Sequence, residues 1–575
     1  MTVPEFERDL IVRLLTTMLR EDVAGLRTRG RPYRGSDGGA WLALRRARIP
    51  VRRADPDRGD LATDWAARAP FVVRVGPGRR MTAVRLIGVL NVLTSELLPG
   101  LDPGLAAEFA TGLAALRREA VAALGAAELR HRRRPVVLGR LRPEVSDPAG
   151  AGWSAAVGFE SLAAHRDHPL YPFSVARVGL PVRHLLWSAP EHRPDFRLRW
   201  LVLPSSVVEQ QGRLPDWWPQ RERAGEVALP VHPALPPSEV EQALAELGLG
   251  SDRRRLRPEP ARPTLSMRTV ALIRHPDVHL KLPLAMRTLG RLNLRAITRP
   301  GLADGVLVGR VLQQVIAREP RFADTVRIAD ESTWLHGGHP LLAVLVRRWD
   351  AGLADTVIVP VAGLAGRGLT GRPVFAELAD RVDADLDRLL VQYLRLLLDW
   401  QLTLWLRYGV GLEAHPQNVL IAVDRTADGP RIRLLVRDLD SAKLDLGLLG
   451  RALGSIAPTF AELNDERLAA RDPRELIDLF VTTTLHQAVA AVLIDLARAL
   501  DRPVRPWLAL IRPLIVETAE KYSDSEHFAG LKTIVLDADR LPVKRALTAA
   551  TLLPKTRTGA ADVNKFYGAD APSYL

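Results

Sequence analysis

The stretch Glu413-Ala414-His415-Pro416-Gln417-Asn418-Val419-Leu420-Ile421 and its sequel Arg437-Asp438-Leu439-Asp440 decide how this chain is read. An apolar run at helical spacing, Leu389 to Tyr408, precedes them and carries only Arg395, Asp399 and Arg407 as charges. A strand-like run follows Asn418, then a turn at Asp428-Gly429-Pro430 and a second strand, Ile432 to Val436. The pattern predicts a helix, a polar loop, a hairpin and an acidic loop.

Kinase-like nucleotide sites use this order. An Asn closing one loop and an Asp after the next strand hold Mg²⁺ between phosphates. Asn418 and Asp438 stand in those places. Hard oxygen ligands suit Mg²⁺, and phosphates and water complete its shell. A lone Asn…Asp pair is also an ordinary loop end and turn cap. Yet Glu, His, Gln and Asn crowded between apolar elements need partners, which points to a ligand or a network. Phosphotransfer to a hydroxyl wants an Asp shortly before the Asn. Ala414, His415, Pro416 and Gln417 intervene, and the nearest carboxylate, Glu413, lies beyond His415. That favours ATP chemistry on a group already ionised at neutral pH, such as a carboxylate.

The chain has 575 residues, enough for roughly three or four domains. Its 47% hydrophobic and 25% charged content excludes disordered and collagen-like classes. With no cysteine, disulfides, Cys-ligated zinc, iron–sulfur clusters and thiol nucleophiles are excluded. The net charge of +14 fits nucleic acid, an anionic surface or anionic small molecules. The arginines, however, are dispersed among Asp and Glu, and aromatics are only 5%, so no stacking platform for nucleic acid is evident. Only seven basic residues are lysines, and Lys281 is the single one in the first 442 residues. An ammonium is a compact point charge that a guanidinium fork does not replace.

Phe6, Leu10, Ile11, Leu14, Leu15, Met18 and Leu19 mark an amphipathic helix rather than an export signal. No uncharged apolar run reaches about 18 residues, so no membrane span and a cytoplasmic protein are expected. Residues 1–150 read as a helical N-terminal region, with a strong helix from Pro103 to Arg134. Its basic run Arg130-His131-Arg132-Arg133-Arg134 reads as a solvated helix end. Residues 151–340 read as β-rich, with a strand at Phe196 to Leu203 and Pro-rich pieces after it. Residues 341–575 read as mainly helical, interrupted by the hairpin region 411–445.

Glu-Ala-His-x-Gln-Asn followed by Arg-Asp resembles the signature of the NRPS-independent siderophore synthetases, the IucA/IucC (aerobactin synthetase-like) family. Thr264-Leu265-Ser266-Met267-Arg268-Thr269 resembles the family's Ser-x-Arg-Thr segment. His279-Leu280-Lys281-Leu282-Pro283-Leu284 resembles its Lys strand, with Arg295 as the following Arg in preference to Arg291. His168-Pro169-Leu170-Tyr171-Pro172, with Arg177 and Gly179, resembles its His-Pro-x-His-Pro motif. The resemblance spans about residues 150–445 and implies an α+β fold with thumb, fingers and palm lobes. The thumb falls on 1–150, the fingers on 151–340 and the palm on 341–575. It also implies siderophore biosynthesis by ATP- and Mg²⁺-dependent adenylation of a carboxylic acid, citrate or one like it. Condensation with an amine or hydroxyl follows, in a homodimer that binds neither nucleic acid nor membrane.

Carried over by resemblance, Ser266, Arg268, Thr269, Lys281, Glu413, Gln417, Asn418 and Asp438 serve ATP, with Asn418 and Asp438 on the metal. His415, Lys281 and Arg295 are the catalytic set, and His168, Arg177, Arg295 and His415 face the acid substrate. Lys281 is thus singled out twice, by its isolation and by the resemblance. The departures are Tyr171 where the family has a second His, and Val175 where it has a Lys. They motivate a different acid, a reduced activity or a non-catalytic family member; a kinase-like phosphotransferase is the other alternative. Glu160 is assigned only by its place upstream. His279 reads as a core histidine, and Glu331, Trp334, His336 and His339 as a structural cluster.

Overall fold

The computed structural model describes residues 3–76, 79–146, 152–219, 225–250, 256–558 and 568–575. Helix α1 (Glu5–Arg20) buries Leu10, Ile11, Leu14, Leu15, Met18 and Leu19, the stripe its spacing predicts. The next segment departs from the helical expectation for residues 1–150. Six short strands, β1 (Arg31–Arg34), β2 (Ala40–Ala43), β3 (Ala47–Arg53), β4 (Trp65–Ala67), β5 (Val72–Gly76) and β6 (Arg79–Ala83), form an antiparallel sheet. Ala-, Leu- and Arg-rich composition suggested helix, but here β-branched residues and arginines share strands of three to seven residues, too short to dominate it.

After α2 (Leu86–Leu97), helix α3 runs unbroken from Pro103 to Ser146, twelve residues beyond the expected end. Pro135 removes one backbone donor within it. Buried residues on both sides outweigh that loss: Leu113, Leu116, Ala120 and Ala123 pack into one core, and Val137, Leu141 and Val145 into another. The basic run 130–134 therefore lies inside a helix, not at its end. The boundary expected at 150–151 lies outside the described residues.

Beyond α4 (Gly152–Ala163) comes an eight-stranded sheet. Its strands are β7 (Phe196–Pro204), β8 (Glu209–Gln211), β9 (Glu226–Val231), β10 (Glu259–Pro263), β11 (Thr269–Leu272), β12 (Val278–Lys281), β14 (Asp330–His336) and β15 (Ala343–Arg348). They order as β8-β14-β15-β12-β11-β10-β7-β9, antiparallel throughout. Helix α5 (Pro237–Glu246) follows β9, and α6 (Arg299–Arg318) joins β12 to β13 (Val326–Ile328). The expected boundary at 340 does not match the strands. β15 lies past it yet pairs with β12, and β13 lies before it yet pairs with the later hairpin.

That hairpin forms as read. Strands β18 (Val419–Thr426) and β19 (Gly429–Val436) pair in full register and, with β13 and β16 (Val357–Pro360), make a sheet ordered β13-β19-β18-β16. Before it, after α7 (Val374–Arg381), helix α8 (Leu386–Tyr408) is capped by Asp385 and stopped by Gly409 at φ 66°. A Cβ there would stand 2.8 Å from that of Asp445, so only glycine fits. The two-residue strand β17 (Val410–Gly411) then launches the polar loop. A second long apolar helix follows the hairpin. Pro473–Ala499 is long and apolar enough to cross a membrane by length and composition, and its apolar window is wholly buried in this fold.

Candidate functional site

A cavity of about 380 Å³ opens where the loop after α4, the β10–β11 turn, β12, the polar loop 413–418 and the helix Pro473–Ala499 meet. The residues assigned to ATP, metal or acid substrate line it together: His168, Arg177, Ser266, Arg268, Thr269, Lys281, Arg295, Glu413, His415, Gln417, Asn418 and Asp438. Val175 lines it too; Tyr171 and Arg291 do not.

The polar loop is a turn held by its own groups. The Asn418 backbone N–H donates to the His415 carbonyl at 2.8 Å, and the Asn418 side-chain amide donates to the Glu413 carbonyl at 3.2 Å. The Gln417 N–H donates to His415 Nδ1 at 3.2 Å. Nδ1 is therefore the acceptor, and Nε2 carries the proton. Burial holds the His415 imidazole below its ordinary value, with Lys544 and Arg295 adding to this against Glu413 and Asp438. His168 follows the same design: its Nδ1 accepts from the N–H groups of Leu170 (3.1 Å) and Tyr171 (3.0 Å). Burial, then His415 and Lys544, push it well below the usual histidine value. Two neutral imidazoles thus stand on one cavity, each with Nε2–H as its free donor.

Lys281 ends β12, where its ammonium sits 2.8 Å from Asp438 Oδ1 and 3.2 Å from Asp440 Oδ2. Arg347, on β15, also reaches Asp438 Oδ1 at 2.8 Å and pairs with Glu331 at 2.6 Å. Burial alone would raise the Asp438 pKa; Arg347 and Lys281 outweigh it and hold the carboxylate well below its ordinary range. Lys281 keeps its charge because Asp438 and Asp440 overcome the burial that would lower it. Asp438 itself has φ 59°, and its N–H donates to Glu331 Oε1 at 3.0 Å. Glu331 therefore belongs to the site and not to a structural cluster with His336 and His339; His339 faces Glu246 instead.

Glu160 joins the two halves. Its carboxylate takes a fork from Arg437 at 2.6 and 3.1 Å, with both side chains 1% exposed. It also accepts the Leu265 N–H at 2.7 Å, and Arg437 Nε donates to the Gln417 carbonyl at 3.0 Å. One buried ion pair thus spaces the Ser266 turn from the His415 loop. Inside that turn Ser266 Oγ accepts the Thr269 N–H at 3.1 Å, and Arg268 donates to the Ala296 carbonyl at 3.0 Å.

Arg295 donates from Nε to Thr288 Oγ1 at 2.5 Å and has no carboxylate partner among the described residues. Burial, then Arg268 and Arg177, bring it down to about 9. Arg291 instead donates to the Thr551 carbonyl, which settles which arginine reaches the cavity. Around His168, Arg13 of α1 donates to the His168 and Tyr171 carbonyls at 3.0 and 2.9 Å. Gly179 (φ 104°) lets this segment pass the Ala285 carbonyl, where a Cβ would come within 2.9 Å. Tyr171 points into the core, its hydroxyl 2.7 Å from both Glu119 and Thr551. Tyr171, at the place where the resemblance leads one to expect a second histidine, therefore puts no phenol in the cavity.

Sequence reasoning missed Arg347, Arg130, Asp495 and Lys544, all of which face or brace this site. Lys544 left a signal as one of the rare lysines, and Arg130 as the first of the basic run read as a solvated helix end. His279 is the core histidine expected, accepting from the Trp349 indole at 3.3 Å and set edge-on against the stacked pair of Trp153 and Trp349. Glu413, the nearest carboxylate read before Asn418, lines the cavity at the interval that kinases give their catalytic Asp.

The IucA / IucC family model matches residues 156–366, and the model described as ferric iron reductase FhuF-like transporter matches residues 388–560. The chain is 25% identical over 377 residues to the uncharacterized protein y4xN of Sinorhizobium fredii, covering 56% of this chain and 57% of that one. It is 26% identical over 194 residues to staphyloferrin B synthase of Staphylococcus aureus, covering 31% and 32%. The matched stretches thus span about half or less of those relatives' lengths. The fold superposes on ATP-bound aerobactin synthetase IucA of Klebsiella pneumoniae with a TM-score of 0.69, at 14% identity and 100% coverage of both chains. It superposes on the petrobactin biosynthesis protein AsbB of Bacillus anthracis with a TM-score of 0.69, at 13% identity, covering 99% of this chain and 95% of that one. Motifs scattered over 270 residues, His168 to Asp438, meet in one cavity of the shared fold, and the segment 156–366 that carries the first of them matches the IucA / IucC family model.

Proposed function

We propose that this protein joins a carboxylic acid to an amine or hydroxyl compound in siderophore biosynthesis, activating the acid with ATP as an acyl-adenylate. The observation that carries this reading is Arg295. It is a guanidinium inside the cavity on which Arg268 and Arg177 act more strongly than Glu413 and Asp438, and no ion pair engages it among the described residues. Such a group invites an anion. Arg177 and the Nε2–H donors of His168 and His415 surround the same space. A citrate-like polycarboxylate matches this lining.

An ionised carboxylate needs no base. Its oxygen attacks the α-phosphorus of ATP, the bond to pyrophosphate breaks, and pyrophosphate leaves. His415 donates to the charge that gathers on the reacting group, and Arg268 and Lys281 offset the phosphates. The amine or hydroxyl then attacks the acyl carbon and AMP leaves, giving an amide or ester. The donor set of Asn418 and Asp438 fits Mg²⁺: one amide oxygen and one carboxylate, with only Oδ1 of Asp438 engaged by Lys281 and Arg347. Mg²⁺ held there would neutralise phosphate charge. A reaction that consumes ATP belongs in the cytoplasm, and a homodimer follows from the family likeness.

Incubation with ATP, Mg²⁺, hydroxylamine and a panel of acids including citrate tests this. The expected result is an acid-dependent hydroxamate with AMP and pyrophosphate. ADP as the product would support phosphotransfer with Glu413 as base, and a protein that binds ATP but activates no acid would contradict the proposal.

A further inference from the structure

Beside the main cavity lies a second one of about 290 Å³. The two share the wall made by Arg166, Ala365 and Asp495, far in sequence from the Lys281 network. Arg134, Arg367 and Arg498 line the second cavity together with Arg166. Its one carboxylate, Asp495, is already paired with Arg166, whose other nitrogen donates to the Ala365 carbonyl at 2.8 Å. Among the described residues no ion pair or hydrogen bond engages the guanidiniums of Arg134, Arg367 or Arg498, and Arg134 Nε is buried without an acceptor. His165 Nε2, also on this wall, is buried and unpartnered. Arg134 follows Arg130 by one turn of α3, so the basic run reaches both cavities: Arg130 lines the main one, Arg134 the other.

The cavity is half open: Arg367 and Arg498 reach it from the exposed rim, while Arg134 is half-buried and turns its unpartnered Nε inward beside His165 Nε2. Guanidiniums without carboxylates around such a space attract an anion, and planar forks suit carboxylate best. The acid to be activated has its cations elsewhere, at Arg295 and Arg177. We infer that the side cavity holds a carboxylate carried by the second substrate, so that the attacking amine or hydroxyl compound is itself a carboxylate, such as an amino acid. This rests on the acyl-transfer reading above and names its acceptor class.

Matched pairs that differ only in the carboxylate test it: L-lysine against cadaverine and L-ornithine against putrescine. Each is supplied as acceptor, and as competitor of hydroxylamine in hydroxamate formation. The carboxylate member should act or compete about tenfold better. The double variant Arg134→Gln/Arg367→Gln should bring each pair to near equality. A second readout needs no turnover: the amino acids should raise the melting temperature of the wild-type protein more than their diamines, and this difference should vanish in the double variant. Pairs that behave alike in both readouts overturn the inference. A double variant whose KM rises for the activated acid, with acceptor preference intact, overturns it too, since the carboxylate would then belong to the acid. If no acid yields a hydroxamate, acyl transfer falls, while the melting shifts still judge the cavity separately.

Discussion

Removing the charge of Glu160 is the perturbation that most directly tests how the site is held. In Glu160→Gln, Arg437 is left as a buried cation, 1% exposed, with the Gln417 carbonyl as its remaining acceptor. The lost fork comprises two charge-assisted hydrogen bonds, at 2.6 and 3.1 Å. Breaking such a pair from one side costs about 3–5 kcal/mol. Replacing both partners by apolar groups of similar shape costs far less, because no charge is stranded. A double-mutant cycle with Glu160→Gln, Arg437→Met and both together should therefore show a coupling energy of about 2–3 kcal/mol, read from denaturant midpoints. Activity should follow a different rule. Glu160 also accepts the Leu265 N–H, and Arg437 also holds the Gln417 carbonyl, so both loops lose an anchor in the double variant. Stability should recover there while kcat/KM in the hydroxamate assay stays at least about tenfold down, since small displacements of a site are costly. Additive single effects, or activity that recovers with stability, would refute the claim that this pair spaces the Ser266 turn from the His415 loop.

Lys281→Ala should lower the rate of AMP formation by about two orders of magnitude, the scale for one electrostatic group at a reacting phosphate, and an unchanged rate would remove Lys281 from the site. Burial pushes the Glu119 carboxyl up to about 7. Its folded value exceeds its unfolded one, so its contribution to stability is full below about pH 4.5 and is lost as pH rises through 7. Between pH 5.5 and 8.5 the stability read from denaturant midpoints should fall more for wild type than for Glu119→Gln, by about 2 kcal/mol in the difference; equal falls would contradict it. Tyr171→Phe should cost about 1–2 kcal/mol of stability through its lost bonds to Glu119 and Thr551, with the KM of the acid unchanged because Tyr171 faces away from the cavity.

The site was legible in the sequence because its residues sit in short polar segments between apolar elements, where chemistry is concentrated and the pattern is local. Asn418, His415 and Asp438 could be read from a helix, a loop and a hairpin that all formed as spaced. The second layer was not legible for the opposite reason. Arg347 sits in a strand that reads as plain β, and it reaches Asp438 only because β15 pairs with β12 in a register that sequence spacing does not reveal. Lys544 and Asp495 arrive from elements more than a hundred residues past the loop's neighbours in the cavity wall at His168 and Ser266, and long-range placement leaves no periodic trace. The first-domain sheet was hidden by composition, since short strands rich in arginine and alanine resemble helix in aggregate.

The same logic alters the meaning of the +14 charge. Spread over the surface, arginines among Asp and Glu pair locally and contribute little, as Arg132 does with Glu128 and Arg431 with Asp424. Inside, the pairing is uneven. Arg437 and Arg347 have carboxylates matched to them, and their role is to position loops. Arg295 and Arg134, both partly buried, have none among the described residues, and an unpaired guanidinium facing a cavity is a cost to the folded chain unless an anion arrives. Buried cations without partners mark where substrates complete the structure. By that criterion the excess charge points to two anionic groups, one beside Arg295 and one beside Arg134, and the acyl transfer proposed above would need a place for each.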